Sequence, residues 1–302
     1  MRIVIAGGTG FIGRALVPKL VERGCTVTVL TRQAPTAAHR LLRAPVTVVQ
    51  WRPTDPPDPG LVEGADAVVN LAGATIARRW TPAARRLILE SRVQVTTALV
   101  EAIRRAAAPP RVLVNASAVG FYGPRGDEPV TEADGPGSDF LAQVCLAWEA
   151  AAGAAQAAGV RVVLLRTGLV LGRGGALSRM RVPFLFFVGG PLGSGRQWVP
   201  WIHMDDVTGL IAFSLENKAL QGPVNGTAPN PVRNREFAAV LGRVLRRPAV
   251  VPTPAFLLRW VLGEMSSMLL TGQRAVPAAA LRAGYSFRFP TLEPALRAIY
   301  GG

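Results

Sequence analysis

Three glycines at intervals of three, Gly7, Gly10 and Gly13, stand in the segment Gly7-Gly8-Thr9-Gly10-Phe11-Ile12-Gly13. It follows the β-branched run Ile3-Val4-Ile5 and opens an amphipathic stretch from Ile12 to Arg23. A strand, a glycine turn and a helix in that order suit an anionic ligand. One glycine allows a tight turn, one lets the backbone approach a pyrophosphate, and one lets helix and strand pack closely, while the helix N-terminus favours negative charge. Gly7, Thr9, Gly10, Phe11, Ile12 and Gly13 are therefore the candidate cofactor contacts of this turn. A glycine turn without a ligand is the alternative, and the second strand at Thr26 to Leu30 supplies context that such a turn does not need.

Sites for NAD usually place Asp or Glu at the end of the second strand, about 20 residues after the glycines, to hold the ribose 2′-hydroxyl. No acid occurs here between Glu22 and Asp55, and the strand ends in Thr31-Arg32. Arg32 is thus placed to meet a 2′-phosphate, which selects NADP(H). A charge-assisted bond of about 1.5–3 kcal/mol corresponds to roughly a ten- to hundredfold preference over NAD(H). A solvated surface arginine is the other reading of Arg32.

The elements that must position these groups follow from periodicity. Short apolar runs at Ile3-Val4-Ile5, Thr26 to Leu30, Val46 to Val49, Ala67 to Leu71, Val112 to Asn115 and Val160 to Leu165 alternate with amphipathic stretches at Ile12 to Arg23, Pro82 to Ala107 and Phe140 to Ala158. That alternation predicts an α/β fold: a Rossmann-type doubly wound parallel sheet with a smaller C-terminal substrate lobe. Residues 1–171 form the predicted NADP(H)-binding Rossmann domain. Residues 172–302 form most of the substrate-side lobe, with some segments packing back on the core; short helices are predicted at Asn234 to Leu245 and Pro254 to Leu262.

Composition narrows the classes further. With 49% hydrophobic residues in 302, the chain can build a real core. Cys25, Cys145, His39 and His203 are its only cysteines and histidines, too few and too scattered for a disulfide framework or a standard zinc cluster, so no metal is expected. The formal charge of +15 invites a nucleic-acid reading. However, the charge is almost wholly arginine spread along the chain in short clusters such as Arg246-Arg247, the pattern of solvated faces, so no nucleic-acid partner is expected. The apolar run near Val182 to Val188 is far below the roughly 18 residues of a membrane span, and the N-terminus lacks signal-peptide features. The expectation is a cytoplasmic protein with no membrane partner and a small-molecule substrate; a homodimer is an assembly the sequence allows.

From these motifs the chain resembles the extended short-chain dehydrogenase/reductase superfamily. The match continues through Asn70-Leu71-Ala72-Gly73, Ser117 to Gly123, Arg166-Thr167-Gly168 and Trp201-Ile202-His203-Met204-Asp205-Asp206-Val207. More narrowly, Trp148-Glu149, Leu171 to Gly175, Gly193-Ser194-Gly195 and the end segment Gly272 to Pro290 look like its epimerase-family oxidoreductase branch, which has its own short C-terminal domain. The resemblance implies that Leu71, Ala72 and Gly73 pass along the cofactor near its adenine ribose and pyrophosphate. It also implies that Arg92 reaches the phosphates or the nicotinamide side, and that Val170 lies near the nicotinamide. Core packing for Leu71 and Val170, and a solvated helix charge for Arg92, are the alternatives.

The superfamily's usual catalyst is a Tyr with a Lys four residues later, and this chain has no such pair. Four residues after Tyr122 and Tyr285 stand Gly126 and Phe289, and the expected positions before Glu149 fall on Phe140 or Leu141 and Val144 or Cys145. The usual catalytic Ser or Thr falls on Ala118, with Ser117 one residue early. Because the nicotinamide carries the hydride chemistry, an alternative acid or base can come from the cleft. Ser117 and Tyr122 are the leading candidates, with a backbone-bonded loop serine and a packed aromatic as their alternative. Glu149 and His203 are the other candidates, and Arg196, Gln197 and Trp201 are expected in a substrate-facing loop, where a surface charge is the other reading of Arg196. Two functions follow: an NADP(H)-dependent oxidoreductase or epimerase-like enzyme, or a non-catalytic NADP(H)-binding sensor or interaction protein.

Overall fold

Strands made of valine and isoleucine on both faces need helices above and below them. In the computed structural model, which describes residues 1–53 and 58–301, they have both. The chain opens with β1 (Arg2–Ala6), α1 (Gly13–Glu22), β2 (Thr26–Thr31), α2 (Pro35–Leu42) and β3 (Thr47–Gln50). Then come β4 (Ala67–Asn70), α3 (Pro82–Arg105), β5 (Val112–Ala118), β6 (Pro129–Val130), α4 (Phe140–Gly153) and β7 (Arg161–Thr167). The next part holds β8 (Leu169–Leu171), α5 (Gly175–Leu185), β9 (Trp198–Val199), β10 (Trp201–His203), α6 (Met204–Glu216), β11 (Gly222–Gly226), β12 (Val232–Arg233) and α7 (Asn234–Leu245). The end holds α8 (Ala255–Leu262), α9 (Ser267–Leu270), β13 (Arg274–Ala275), α10 (Ala278–Arg282) and α11 (Leu292–Tyr300).

Seven strands form one sheet in the order β11-β7-β5-β4-β1-β2-β3, paired in parallel throughout. This is the predicted Rossmann-type arrangement, and the order reverses between β1 and β4, where ligands of such sheets bind. Alternation along each strand divides the core. Ile3 and Ile5 pack with α1 and α6 through Leu16, Leu20, Val207 and Leu210, whereas Val4 and Ala6 pack with α3 and α4 through Leu99, Ile103 and Ala152. A third core, with Phe184, Trp201, Phe237, Leu241 and Leu296, serves the C-terminal region.

Pro82 sits in the first turn of α3 behind the N-cap Thr81, whose hydroxyl accepts from the Ala84 N–H at 3.2 Å. The seventh strand, β11, was not among the predicted strands. Its sequence Gly-Pro-Val-Asn-Gly reads as a turn, and the proline is tolerated because β11 lies at the sheet edge. Residues after position 172 therefore complete the sheet begun before it. Trp201, expected in a substrate-facing loop, is instead fully buried in the third core with its indole N–H on Asn230 O. Its bulk is needed there for packing.

His203 caps α6: its Nδ1 accepts from the Asp205 N–H at 3.1 Å, and its ring lies 4.1 Å from that of Phe289. Burial pushes its pKa down to about 4 against the attraction of Asp205, with Lys19 and Arg288 adding to the drop. The unfolded chain therefore takes up this proton before the folded one does. Stability contributed by neutral His203 is complete above about pH 6.5 and is lost as pH falls toward 4, by on the order of 3 kcal/mol. Denaturant unfolding from pH 7 to pH 4 is expected to show this slope in the wild type and a flatter one in His203→Asn, whose side-chain oxygen can still cap α6.

Candidate active site

The glycine turn lies between the ends of β1 and β4. Gly7 has φ +79°, and a Cβ there would stand 2.7 Å from the Leu71 carbonyl carbon. At Gly13 a Cβ would stand 2.4 Å from Gly8 O, so α1 can begin this close to the turn only on glycine. Gly10 N donates to Gly7 O at 2.9 Å, closing the turn. Among the described residues, the backbone N–H groups of Phe11 and Ile12 find no acceptor, which leaves donors at the mouth of a helix N-terminus. An anion such as a pyrophosphate fits this cradle. Thr9 Oγ1 is 3.3 Å from Thr31 Oγ1, tying the turn to the end of β2, from which the exposed Arg32 emerges. No carboxylate pairs with Arg32 among the described residues.

A polar cluster around Asn70 builds the opposite wall. Buried Asn70 donates through Nδ2 to Thr96 Oγ1 at 2.9 Å and Asn115 Oδ1 at 2.7 Å, and its own Oδ1 accepts from the Ala72 N–H at 3.1 Å. Trp148 Nε1 also donates to Thr96 Oγ1. Asn70 thereby fixes the course of Leu71 and Ala72 past Gly7. An asparagine ending an otherwise apolar strand was the available signal. Arg92 on α3 lies against Gly73, where an added Cβ would be 3.2 Å from its guanidinium carbon. The guanidinium donates to Ile88 O and Ala74 O and covers the Trp148 ring. Burial lowers its pKa from the ordinary arginine value, so an anion nearby would favour it.

Val170 pairs with Ile202 in the β8–β10 ladder and is half-buried. Phe11 joins that strand's exit to the glycine turn. Its ring lies under Gly172, Gly174 and Gly175, and at Gly175 a Cβ would come within 2.7 Å of it. The predicted cofactor residues thus fall into connected groups: Gly7 with Gly13, Leu71 and Ala72; Gly73 with Arg92; Thr9 with the end of β2; and Phe11 with the turn after Val170.

Ser117 and Tyr122 do not touch each other. Both belong to a buried network centred on the pair between Arg166 of β7 and Glu149 of α4, bonded at 2.9 and 2.8 Å. Ser117 Oγ donates to Glu149 Oε1 at 2.6 Å, Arg166 Nη1 donates to the Tyr122 hydroxyl at 3.0 Å, and that hydroxyl donates to Asn225 Oδ1 at 2.7 Å. The Arg166 guanidinium also stacks 3.4 Å over the Phe121 ring. Tyr122 is 0% exposed, and burial raises its pKa against the help of Arg166. Burial likewise opposes the charge on Arg166, but its bonds to Glu149 and Tyr122 outweigh that and raise its pKa.

The positions at which the resemblance leads one to expect the Tyr and Lys hold apolar or thiol side chains. Phe140 packs edge-on against Trp80, Leu141 lies beside Gly120, and Val144 is buried with Ile88 and Met265. Cys145 points to Ala118 O, and burial beside Glu149 pushes its thiol up to about 11, so it stays protonated at neutral pH. Of the expected substrate-loop residues, Arg196 is exposed, while the Gln197 side-chain amide donates to Leu192 O and Leu269 O and holds the loop. Among the described residues no three His, Cys, Asp or Glu side chains come together as a metal site.

Removing one partner of the central pair would strand a buried charge. Glu149→Ala is expected to cost about 3–5 kcal/mol in urea unfolding. A loss below 1 kcal/mol would show that Arg166 finds another partner.

Comparison with known proteins matches the geometry. Residues 3–225 match the NAD dependent epimerase/dehydratase family, and residues 253–299 match a domain of unknown function, DUF1731. The chain is similar to the chloroplastic epimerase family protein SDR39U1 homolog of Arabidopsis thaliana, at 42% identity over 99% of this chain and 86% of that protein. It is also similar to the epimerase family protein YfhF of Bacillus subtilis, at 38% identity over 98% and 97%. The crystal structure of human epimerase family protein SDR39U1 with NADPH superposes with a TM-score of 0.88 at 36% identity, covering 100% of this chain and 99% of that one. The chain belongs to the NAD-dependent epimerase/dehydratase family, in the branch that carries a DUF1731 domain at its C-terminal end.

Proposed function

We propose that this protein binds NADP(H) and acts as an oxidoreductase or epimerase-like enzyme on a small molecule, without the Tyr-x-x-x-Lys pair. The observation that carries the reading is the glycine cradle with its two unclaimed N–H donors, set beside Arg32. The human relative, which is similar across both chains, was crystallised with NADPH. In this reading Gly7, Thr9, Gly10, Phe11, Ile12 and Gly13 hold the pyrophosphate. Arg32 holds the 2′-phosphate, Leu71, Ala72 and Gly73 line the adenosine side, Arg92 adds charge near the phosphates, and Val170 borders the nicotinamide. When bound, the nicotinamide supplies or accepts the hydride.

Residues 1–171 form the cofactor half of this reading, and 172–302 supply the substrate-side lobe. Ser117 and Tyr122 enter it as positioning residues. Their hydroxyls are already engaged with Glu149, Arg166 and Asn225, and a phenol whose pKa is raised by burial is a weak proton donor at neutral pH. The second reading, a non-catalytic NADP(H)-binding sensor or interaction protein, is favoured by the apolar side chains at the usual dyad positions. A cytoplasmic location and a homodimer remain part of the proposal; the Arabidopsis relative is named as chloroplastic.

Titration with NADPH and NADH, followed by nicotinamide fluorescence, tests the cofactor assignment. NADPH is expected to bind at least about tenfold more tightly, and Arg32→Ala to remove the difference. Equal binding of both by the wild type would overturn the role of Arg32, and binding of neither would overturn the cofactor. A second test separates packing from chemistry once NADPH-dependent turnover is found in a screen of carbonyl compounds. Tyr122→Phe should keep turnover within about threefold while losing about 1–3 kcal/mol of stability, because Arg166 and Asn225 lose their partner. A loss of about a hundredfold or more would instead make Tyr122 the acid.

A further inference from the structure

An α-helix in a folded protein normally buries one face, yet none of the residues of α8 is buried. Its sequence Ala-Phe-Leu-Leu-Arg-Trp-Val-Leu is almost entirely apolar. Phe256, Leu257, Trp260 and Val261 recur on one face and are 71%, 39%, 78% and 53% exposed. The surface does not end with the helix. Val251 N donates to Gly189 O and Gly193 N to Thr253 O, so the chain leading into α8 runs beside the chain leaving α5. On that neighbouring chain Phe186, Phe187 and Val188 are exposed at 73%, 58% and 52%.

The way Phe187 is held adds to this. It adopts φ +62°, a conformation that ordinarily falls to glycine after a helix. Its N–H donates to Phe184 O and that of Val188 to Pro183 O, the closing bonds of a helix end. The fold keeps an aromatic ring outside where a glycine would have been easier.

The charges within the two stretches that build this surface are of one sign. No acidic residue occurs between Glu149 and Asp205, or between Glu236 and Glu264, the two stretches that build it. Arg246, Arg247 and Arg259 lie in the second stretch, and the Arg247 guanidinium stands over the Phe187 ring at 4.9 Å. Of the acids near its ends, Glu264 pairs with Arg85 and Glu293 with Arg243, while Glu236 is exposed at the start of α7. A second copy docking face to face across a two-fold axis would set arginine against arginine. An anionic lipid surface would accept both the aromatic side chains and the guanidinium groups around them.

We propose that the surface formed by α8 and the Phe186–Val188 turn seats this protein peripherally on anionic lipid bilayers, with Phe256, Trp260, Phe186 and Phe187 in the headgroup boundary and Arg246, Arg247 and Arg259 on the phosphates. This attachment lies on the membrane and does not cross it: among the described residues no helix is long and apolar enough to span a bilayer. Such attachment departs from the expectation of no membrane partner for the interfacial case alone, and it uses none of the candidate nucleotide contacts.

The test is co-sedimentation of the full chain with sucrose-loaded vesicles of phosphatidylcholine and phosphatidylglycerol at 3:1, and of phosphatidylcholine alone. The wild type is expected to pellet with the mixed vesicles and much more weakly with the neutral ones. The double variant F256S/W260S should bind the mixed vesicles about tenfold more weakly, and R259E should weaken binding with less dependence on salt. Because these side chains are exposed, the variants should melt like the wild type, which circular dichroism would check. No binding to mixed vesicles would overturn the proposal, as would binding that F256S/W260S leaves unchanged, since charge alone would then explain it. A wild-type dimer in sedimentation velocity that F256S/W260S turns into monomers, without vesicle binding, would assign the surface to a second copy instead.

Discussion

The ion pair between Arg166 and Glu149 is the point on which the β7–β11 side of the sheet depends. It joins β7 to α4, and through Tyr122 and Asn225 it reaches β11 at the sheet edge. Two charges buried together are costly unless nearly every donor and acceptor is used. Here the carboxylate takes two bonds from Arg166 and one from Ser117, while the guanidinium also donates to Tyr122 and stacks on Phe121. That degree of satisfaction makes the pair a rigid post between β7 and α4. It also explains why β11 can be a short edge strand of turn-like composition: Asn225 is held by Tyr122, by Val276 O and by Glu132 as well as by the ladder.

A second constraint acts on the backbone. Around the glycine turn, three chain segments approach more closely than any side chain would allow: the turn itself, the start of α1, and the Leu71-Ala72 stretch. Asn70 holds the last of these, and Thr9 and Phe11 tie the first to β2 and to the turn after β8. The site is therefore made of backbone surfaces, and side chains serve mainly to lock them. Such a site has little freedom to adjust, so its donors are already aimed before any ligand arrives.

What the sequence made legible follows from this division. Glycine spacing and β-branched runs are local signals, and they located the turn and six of the seven strands of the main sheet within a residue or two at most ends. The absence of an acid singles out Arg32 as a candidate, also a local matter. Three features depended on partners distant in the chain and stayed hidden. Trp201 reads as a loop aromatic until its core partners Phe237 and Leu296 are known. Ser117 and Tyr122 read equally as catalytic hydroxyls or as packed and bonded residues until Glu149, Arg166 and Asn225 are seen to occupy them. β11 has no strand pattern of its own, because its place is fixed by β7 and Tyr122 rather than by alternation.

The same contrast bears on the chemistry. A phenol and an ammonium group at the usual dyad positions would place a movable proton beside the substrate; Phe140, Leu141, Val144 and Cys145 place none there. Glu149 and Arg166 are bonded to each other, so moving a proton between them would dissolve the post that supports the sheet. If the proposed enzymatic reading holds, hydride exchange would draw its proton from the substrate's own groups or from solvent. Such chemistry suits substrates whose hydride acceptor is already electron-poor, because an activated acceptor needs less help from an acid.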